Sequence, residues 1–126
     1  MARILIVEDD PDIATTMSEL LDHAGHQVVG IANSEASAVN QAARSRPDLA
    51  LVDIKLANDS DGVQTALHLK ARYPVEVVFV SGYLDSYTQK RAATAEPAGF
   101  VVKPYSAQHL LEVVSIASAA TKPWVG

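Results

Sequence analysis

A chain of 126 residues, 48% hydrophobic and 20% charged, can close one core without staples and has the balance of a globule rather than of a disordered or membrane-embedded segment. Cysteine is absent, which removes disulfide frameworks and thiolate metal sites and leaves oxygen and imidazole as metal ligands. A net charge of -5 without a basic cluster gives little electrostatic support to direct nucleic-acid binding, and no apolar run approaches the roughly 20 residues of a membrane span.

In chain order, Arg3 to Val7 reads as a short apolar strand, β1, lacking the apolar stretch and cleavage site of a secretory signal, so a cytoplasmic location is expected. Glu8, Asp9 and Asp10 follow it. Asp10 suits the N-cap and Pro11 the first position of α1, whose apolar face is Ile13, Met17, Leu20, Leu21 and Ala24 and which Gly25 stops. β2 is Gln27 to Ala32, and α2 begins at Ser34 and ends before Pro47. β3, Leu49 to Val52, delivers Asp53, and α3 runs from Gly62 to Tyr73, before Pro74. β4 is Val75 to Val80, with Ser81 and Gly82 beyond it. α4, Ser86 to Ala95, is polar and Ala-rich, so it offers little apolar face and is expected to be mobile. β5, Gly99 to Val102, is followed by Lys103 and Pro104, and α5 opens at Ser106 with Leu110, Val113, Val114 and Ala117 on one stripe. Pro123 then ends the helical pattern, which predicts one domain over 1–121 and a short tail over 122–126 in which Trp124 carries no message.

Five repeats of strand then helix predict an α/β fold with a parallel sheet, and β1, β3, β4 and β5 are nearly unbroken apolar runs, as in strands covered on both faces. Ligands of such sheets bind beyond the carboxyl ends of the strands, where the strand order reverses. Those ends carry Glu8, Asp9 and Asp10 after β1, Asp53 after β3, Ser81 and Gly82 after β4, and Lys103 and Pro104 after β5. In the order 2-1-3-4-5, β1 and β3 are neighbours and their acids converge. Crowded carboxylates repel, and a hard divalent cation such as Mg2+ relieves that repulsion through oxygen ligands. Lys103 adds a fixed positive charge and Ser81 a hydroxyl donor for a phosphate oxygen. Together these residues are phosphoryl-transfer equipment with an aspartate as nucleophile.

The four segments Ile4 to Asp10 (ILIVEDD), Leu51 to Ile54 (LVDI), Val80 to Gly82 (VSG) and Val102 to Pro104 (VKP) resemble, in order and spacing, the response-regulator receiver family of two-component signalling. The resemblance covers essentially the whole chain. It implies a flavodoxin-like (CheY-like), doubly wound, five-stranded parallel sheet of order 2-1-3-4-5 with five helices. It further implies Asp53 as phosphoacceptor, with Glu8, Asp9, Asp53 and the backbone carbonyl of Lys55 as Mg2+ ligands. By the same resemblance Ser81 is the switch hydroxyl, Lys103 the phosphate-binding lysine and Phe100 the switch aromatic, and the Lys103–Pro104 bond is cis. The partners implied are a sensor histidine kinase or a histidine phosphotransfer protein and a downstream protein target, with the α4–β5–α5 face as output surface and candidate homodimer surface. Phe79 to Tyr83 (FVSGY) is similar to the Phe-Ala-Thr-Gly-Tyr motif of a subfamily often paired with histidine kinases of the HWE type. The stretch from Lys55 to Gly62 departs from the family pattern, being one residue longer and without proline, so that loop is expected to be flexible.

Other readings accompany these. Asp10 and Asp12 are accounted for as cap and first-turn acids of α1. Phe100 on an apolar strand fits core packing as well as a switch. Tyr83, Tyr87 and Tyr105 fit a core rim as well as a partner surface, and His23, His26, His68 and His109 read as surface residues without ligand spacing. A Toprim-type Mg2+ enzyme wants Asp-x-Asp, where Asp53 is followed by Ile54 and Lys55, and a mononucleotide binder wants a phosphate loop where β1 is followed by acids. A phosphorylation-independent docking scaffold stays open. The expected role is a signalling phosphoacceptor with self-phosphorylation and autophosphatase activity, not an enzyme, and with no output domain after α5 it acts through a partner.

Overall fold

The computed structural model of the chain describes residues 1–56, 61–82 and 85–124. In chain order the elements are β1 (Arg3–Val7), α1 (Pro11–His23), β2 (Gln27–Ala32), α2 (Glu35–Ser45), β3 (Leu49–Asp53), α3 (Gly62–Arg72), β4 (Glu76–Ser81), α4 (Ser86–Ala93), β5 (Gly99–Val102) and α5 (Ala107–Ser118). The five strands form one parallel sheet in the order β2-β1-β3-β4-β5, so the winding reverses between β1 and β3. This is the flavodoxin-like, CheY-like arrangement that the family resemblance implies.

Strand alternation builds two cores, one on each face of the sheet. Leu5 and Val7 of β1, Ala50 and Val52 of β3, and Val77 and Phe79 of β4 pack with Ala38, Ala42, Val63, Ala66 and Leu69 of α2 and α3. Ile4, Ile6, Leu49, Leu51, Val78 and Val80 face the other way, onto Met17 and Leu21 of α1 and Leu110 and Val114 of α5. The small residues of α2 bring that helix close, while the large side chains of the central strands, Phe79 and Leu51 among them, are fully buried.

Local chemistry sets the helix starts. Asp10 caps α1 by accepting from the N–H groups of Asp12 and Ile13, and Ser34, Asp61, Asp85 and Ser106 cap the other four helices in the same way. Gly25, at φ 91°, turns the chain out of α1.

Several boundaries differ from the sequence reading. β3 reaches Asp53, and β4 runs one residue later than expected because Ser81 still pairs with Val102. α3 stops at Arg72 because the following Pro74 holds Tyr73 in extended backbone. α4 stops at Ala93, before the turn in which Glu96 takes φ 48°. Ala24 leaves the buried face of α1, which is Ala14, Met17 and Leu21, because the chain is already turning toward Gly25. β5 is an edge strand and leaves Val102 55% exposed, so it is not covered on both faces. The expected looseness of the loop after Lys55 and the place of Tyr83 concern 57–60 and 83–84, outside the described residues.

Trp124, which carried no message in the sequence, is docked. Its ring stacks on Tyr73 with centroids 5.1 Å apart, its Nε1–H donates to the Pro47 carbonyl at 2.8 Å, and the Arg46 guanidinium lies 5.9 Å from its centroid. A stacked pair and one indole hydrogen bond each contribute about 1 kcal/mol. Trp124→Ala should therefore lower the unfolding free energy by about 1–2 kcal/mol, read as a lower urea midpoint at unchanged m-value.

Candidate functional site

Sheet register assembles the site. Val7 of β1 is opposite Val52 of β3, so the next residues along, Glu8 and Asp53, leave the sheet as neighbours. Ser81 is opposite Val102, which places Lys103 one step further, and the Lys103 N–H donates to the Ser81 carbonyl at 2.7 Å. Four strand ends thus deliver Glu8, Asp9, Asp53, Ser81 and Lys103 to one edge of the sheet, at the switch point between β1 and β3.

Carboxylate oxygens of Glu8, Asp9 and Asp53 lie within 4.8 Å of one another. Asp53 is 7% exposed, its Oδ1 accepts the Lys55 N–H at 3.0 Å, and its Oδ2 pairs with Lys103 Nζ at 3.1 Å. Ser81 is buried, and Asp9 is half-buried. The Lys103–Pro104 bond is cis, as the resemblance implies. Phe100 is half-buried on β5 with its ring centroid 6.2 Å from that of Phe79, a position that suits core packing and a movable aromatic alike.

Burial and charge act on this cluster together. The Glu8 carboxyl is pushed up from 4.5 to about 8, first by burial and then by the Asp53 carboxylate beside it, with Lys103 pulling the other way. Burial opposes the charge on Lys103, but its hydrogen bond to Asp53 and its closeness to Asp53 and Glu8 outweigh that and hold its pKa above the ordinary lysine value. Glu8 Oε1 accepts the Asp10 N–H at 3.4 Å, whereas Oε2 is buried without a hydrogen-bond partner among the described residues. A buried carboxylate oxygen with no donor, in a set made entirely of oxygens, fits a hard divalent cation and leaves it a place to bind.

Two supporting features escaped the sequence reading. A Cβ on Gly62 would stand 2.0 Å from the Asp53 carbonyl oxygen and 2.7 Å from Ile54 Cα, so only glycine lets the start of α3 lie against the end of β3. The Gly62 N–H donates to the Ile54 carbonyl at 2.9 Å, which fixes that approach. Asp61, the cap of α3, also pairs with Arg91 of α4 at 2.6 Å. Gly62 has a signal, a glycine nine residues past Asp53 at a helix start, while the Asp61–Arg91 pair has none, being 30 residues apart in sequence. The histidines stay away from the cluster. His26 is half-buried rather than a plain surface residue, with Nδ1 accepting the Ala2 N–H at 3.1 Å, and His68 pairs with Glu35. Of the three tyrosines read as a rim or a partner surface, Tyr87 is exposed and Tyr105 packs against the core of α1 and α5.

Residues 4–115 match the family model of the response regulator receiver domain. The chain is 37% identical over 115 residues to the phyllosphere-induced regulator PhyR of Methylorubrum extorquens, covering 90% of this chain and 42% of that protein. It is 29% identical to the transcriptional regulatory protein PdtaR of Mycobacterium tuberculosis, over 91% of this chain and 56% of the other. The chain thus spans about half the length of these curated relatives. Among solved structures, the receiver domain of a modulated diguanylate cyclase from Desulfovibrio desulfuricans superposes with TM-score 0.88 at 35% identity, covering 95% of both chains. The receiver domain of Erythrobacter litoralis PhyR superposes with TM-score 0.82 at 26% identity, covering 99% of this chain and 95% of that one.

The raised Glu8 carboxyl has a sign that can be checked. Between its unfolded value of 4.5 and about 8 the folded chain binds more protons than the unfolded one, so stability in EDTA should fall as pH rises through that window. Glu8→Gln should flatten this fall, and saturating Mg2+ should offset it in the parent, both read from urea midpoints at about pH 5 and about pH 9. Gly62→Ala should lower stability by about 1–3 kcal/mol, because the colliding atoms are backbone and have no rotamer to yield.

Proposed function

The chain belongs to the response regulator receiver domain family, and on that footing we propose that it is a Mg2+-dependent switch that accepts a phosphoryl group on Asp53. The observation that carries the reading is the Asp53 carboxylate, hydrogen-bonded to Lys103 on one side and within 4.8 Å of the Glu8 and Asp9 oxygens on the other. Glu8, Asp9, Asp53 and the Lys55 carbonyl would hold the Mg2+, which when bound neutralises part of the charge on the acids and on the incoming phosphoryl oxygens.

The donor is a phosphohistidine on a sensor kinase or phosphotransfer protein, or a small acyl phosphate. An Asp53 oxygen attacks phosphorus in line, the bond to the donor breaks, and the donor leaves with the electron pair. Lys103, already on Oδ2, stays beside the growing negative charge and moves from carboxylate to phosphate oxygen. Ser81, buried at the end of β4, donates its hydroxyl hydrogen to a second phosphate oxygen, and this draws the start of the β4–α4 loop inward. Phe100 then turns into the space vacated. Water attacking the acyl phosphate returns the chain to rest, a slow self-reset rather than turnover of an external substrate.

Output passes through a protein partner. A groove of about 520 Å³ between α4 and β5, lined by Ala92, Ala93, Pro97, Phe100 and Val102, is the surface that these motions would reshape, and it is also the candidate homodimer face. The FVSGY segment supports a kinase of the HWE type as donor. A phosphorelay of this kind operates in the cytoplasm, and no described helix is long and apolar enough to cross a membrane. A Bartonella quintana PhyR is described as an anti-anti-sigma factor, but this chain covers 49% of it and that role is not carried over.

Incubation with Mg2+ and acetyl phosphate should add the mass of one phosphoryl group, and Asp53→Asn should abolish the gain. Lys103→Ala should slow it by roughly 10²-fold or more, as loss of a charge-stabilising group does. A chain that takes no phosphoryl group from acetyl phosphate or from any of a range of histidine kinases would act instead as a docking scaffold.

A further inference from the structure

α4 is held to the body by little apolar contact. Among its described residues Ala92 is buried, while Tyr87 is 71% exposed. Charge reaches where the apolar face does not. Arg91 Nη2 lies 2.6 Å from Asp61 Oδ2, and Oδ1 of the same carboxylate accepts the Val63 N–H at 2.9 Å as the cap of α3. Asp61 also forms an antiparallel backbone bridge with Lys55, whose N–H is donated to Asp53 Oδ1 at 3.0 Å. One continuous path of polar contacts therefore runs from the Asp53 carboxylate through Lys55 and Asp61 to Arg91 on α4.

We infer that the Arg91–Asp61 ion pair is a latch, which holds α4 in its rest position and makes the docking of that helix depend on the contacts that join Asp53, Lys55 and Asp61. Arg91 and Asp61 are positioning residues that act through Lys55 and the cap of α3, without touching the reacting atoms. Both side chains are about one-third exposed, at 34% and 31%, and a surface pair of this kind has a modest effect on global stability. On a helix whose buried side chain is one alanine, the same modest effect weighs more than on a helix packed by large apolar residues. The functional half rests on the reading of Asp53 as acceptor. Once Asp53 becomes an acyl phosphate, its carboxyl oxygens carry less charge, the Lys55 N–H loses part of its acceptor, and the strain passes along the path to Asp61. Linkage then works in reverse as well, so that opening the latch favours phosphorylation.

The test uses Arg91→Gln and Asp61→Asn in the full chain, because asparagine keeps an oxygen to cap Val63 and so leaves the start of α3 intact. Amide hydrogen exchange over 86–93 should quicken about three- to fivefold in either variant, with α1 and α5 unchanged. The double variant should exchange no faster than the single ones, as expected of two halves of one interaction. Affinity for beryllium trifluoride in Mg2+, an equilibrium stand-in for the phosphoryl group on Asp53, should rise by up to a similar factor. The latch is overturned if exchange in α4 matches that of a Lys90→Gln control, or if the two single effects add. Faster exchange with an unchanged beryllium trifluoride affinity overturns the coupling. A parent chain that takes no phosphoryl group would sink the reading of Asp53, and the exchange measurement would then decide the latch by itself.

Discussion

Glu8, Asp9 and Asp53 bring carboxylate oxygens within 4.8 Å of one another at the carboxyl edge of a tightly packed sheet. Two unit charges at that separation repel by roughly 3 kcal/mol at an effective dielectric of about 20, comparable with a sizeable part of a small domain's stability. The cluster therefore persists only with compensation. Lys103 supplies one positive charge from the end of β5, and Glu8, buried and beside the Asp53 carboxylate, holds its proton up to about 8. A pocket so short of positive charge is electrostatically suited to a divalent cation.

The rest of the fold serves to keep those groups from moving apart. β1 and β3 are central strands, Ile4 to Val7 and Leu49 to Val52 are essentially without solvent exposure, and helices pack on both faces. Register then leaves Glu8 and Asp53 little freedom to separate, since a slip of one residue would turn each strand's whole set of side chains to the opposite face. Gly62 extends the same rigidity beyond the strand by seating the start of α3 on the Asp53 carbonyl.

Rigidity declines toward α4 and β5. There the strand is an edge, Val102 is open to solvent, and α4 contributes one buried alanine and an ion pair. A stiff site beside a weakly attached element is the arrangement a switch requires, because a small change in charge at the site can alter the position of something only if that element is held by energies of similar size.

Apolar runs, helical periodicity and start signals made the five strands, the five helices and the starts at Asp10, Ser34 and Ser106 legible in the sequence, since those three act on groups only two or three positions away. The acids and the lysine were legible as well, because each stands at the end of an apolar run, while the strand order that places those ends together was implied by the family resemblance. What the sequence by itself could not decide was whatever depends on the distance between residues far apart in the chain. The stack of Trp124 on Tyr73, the close approach of Gly62 to Asp53, the buried Glu8 oxygen without a donor, and the pairing of Arg91 with Asp61 each arise from packing between elements. Local propensity is a property of a few consecutive residues, whereas those contacts come into being only when the cores on the two faces of the sheet have closed.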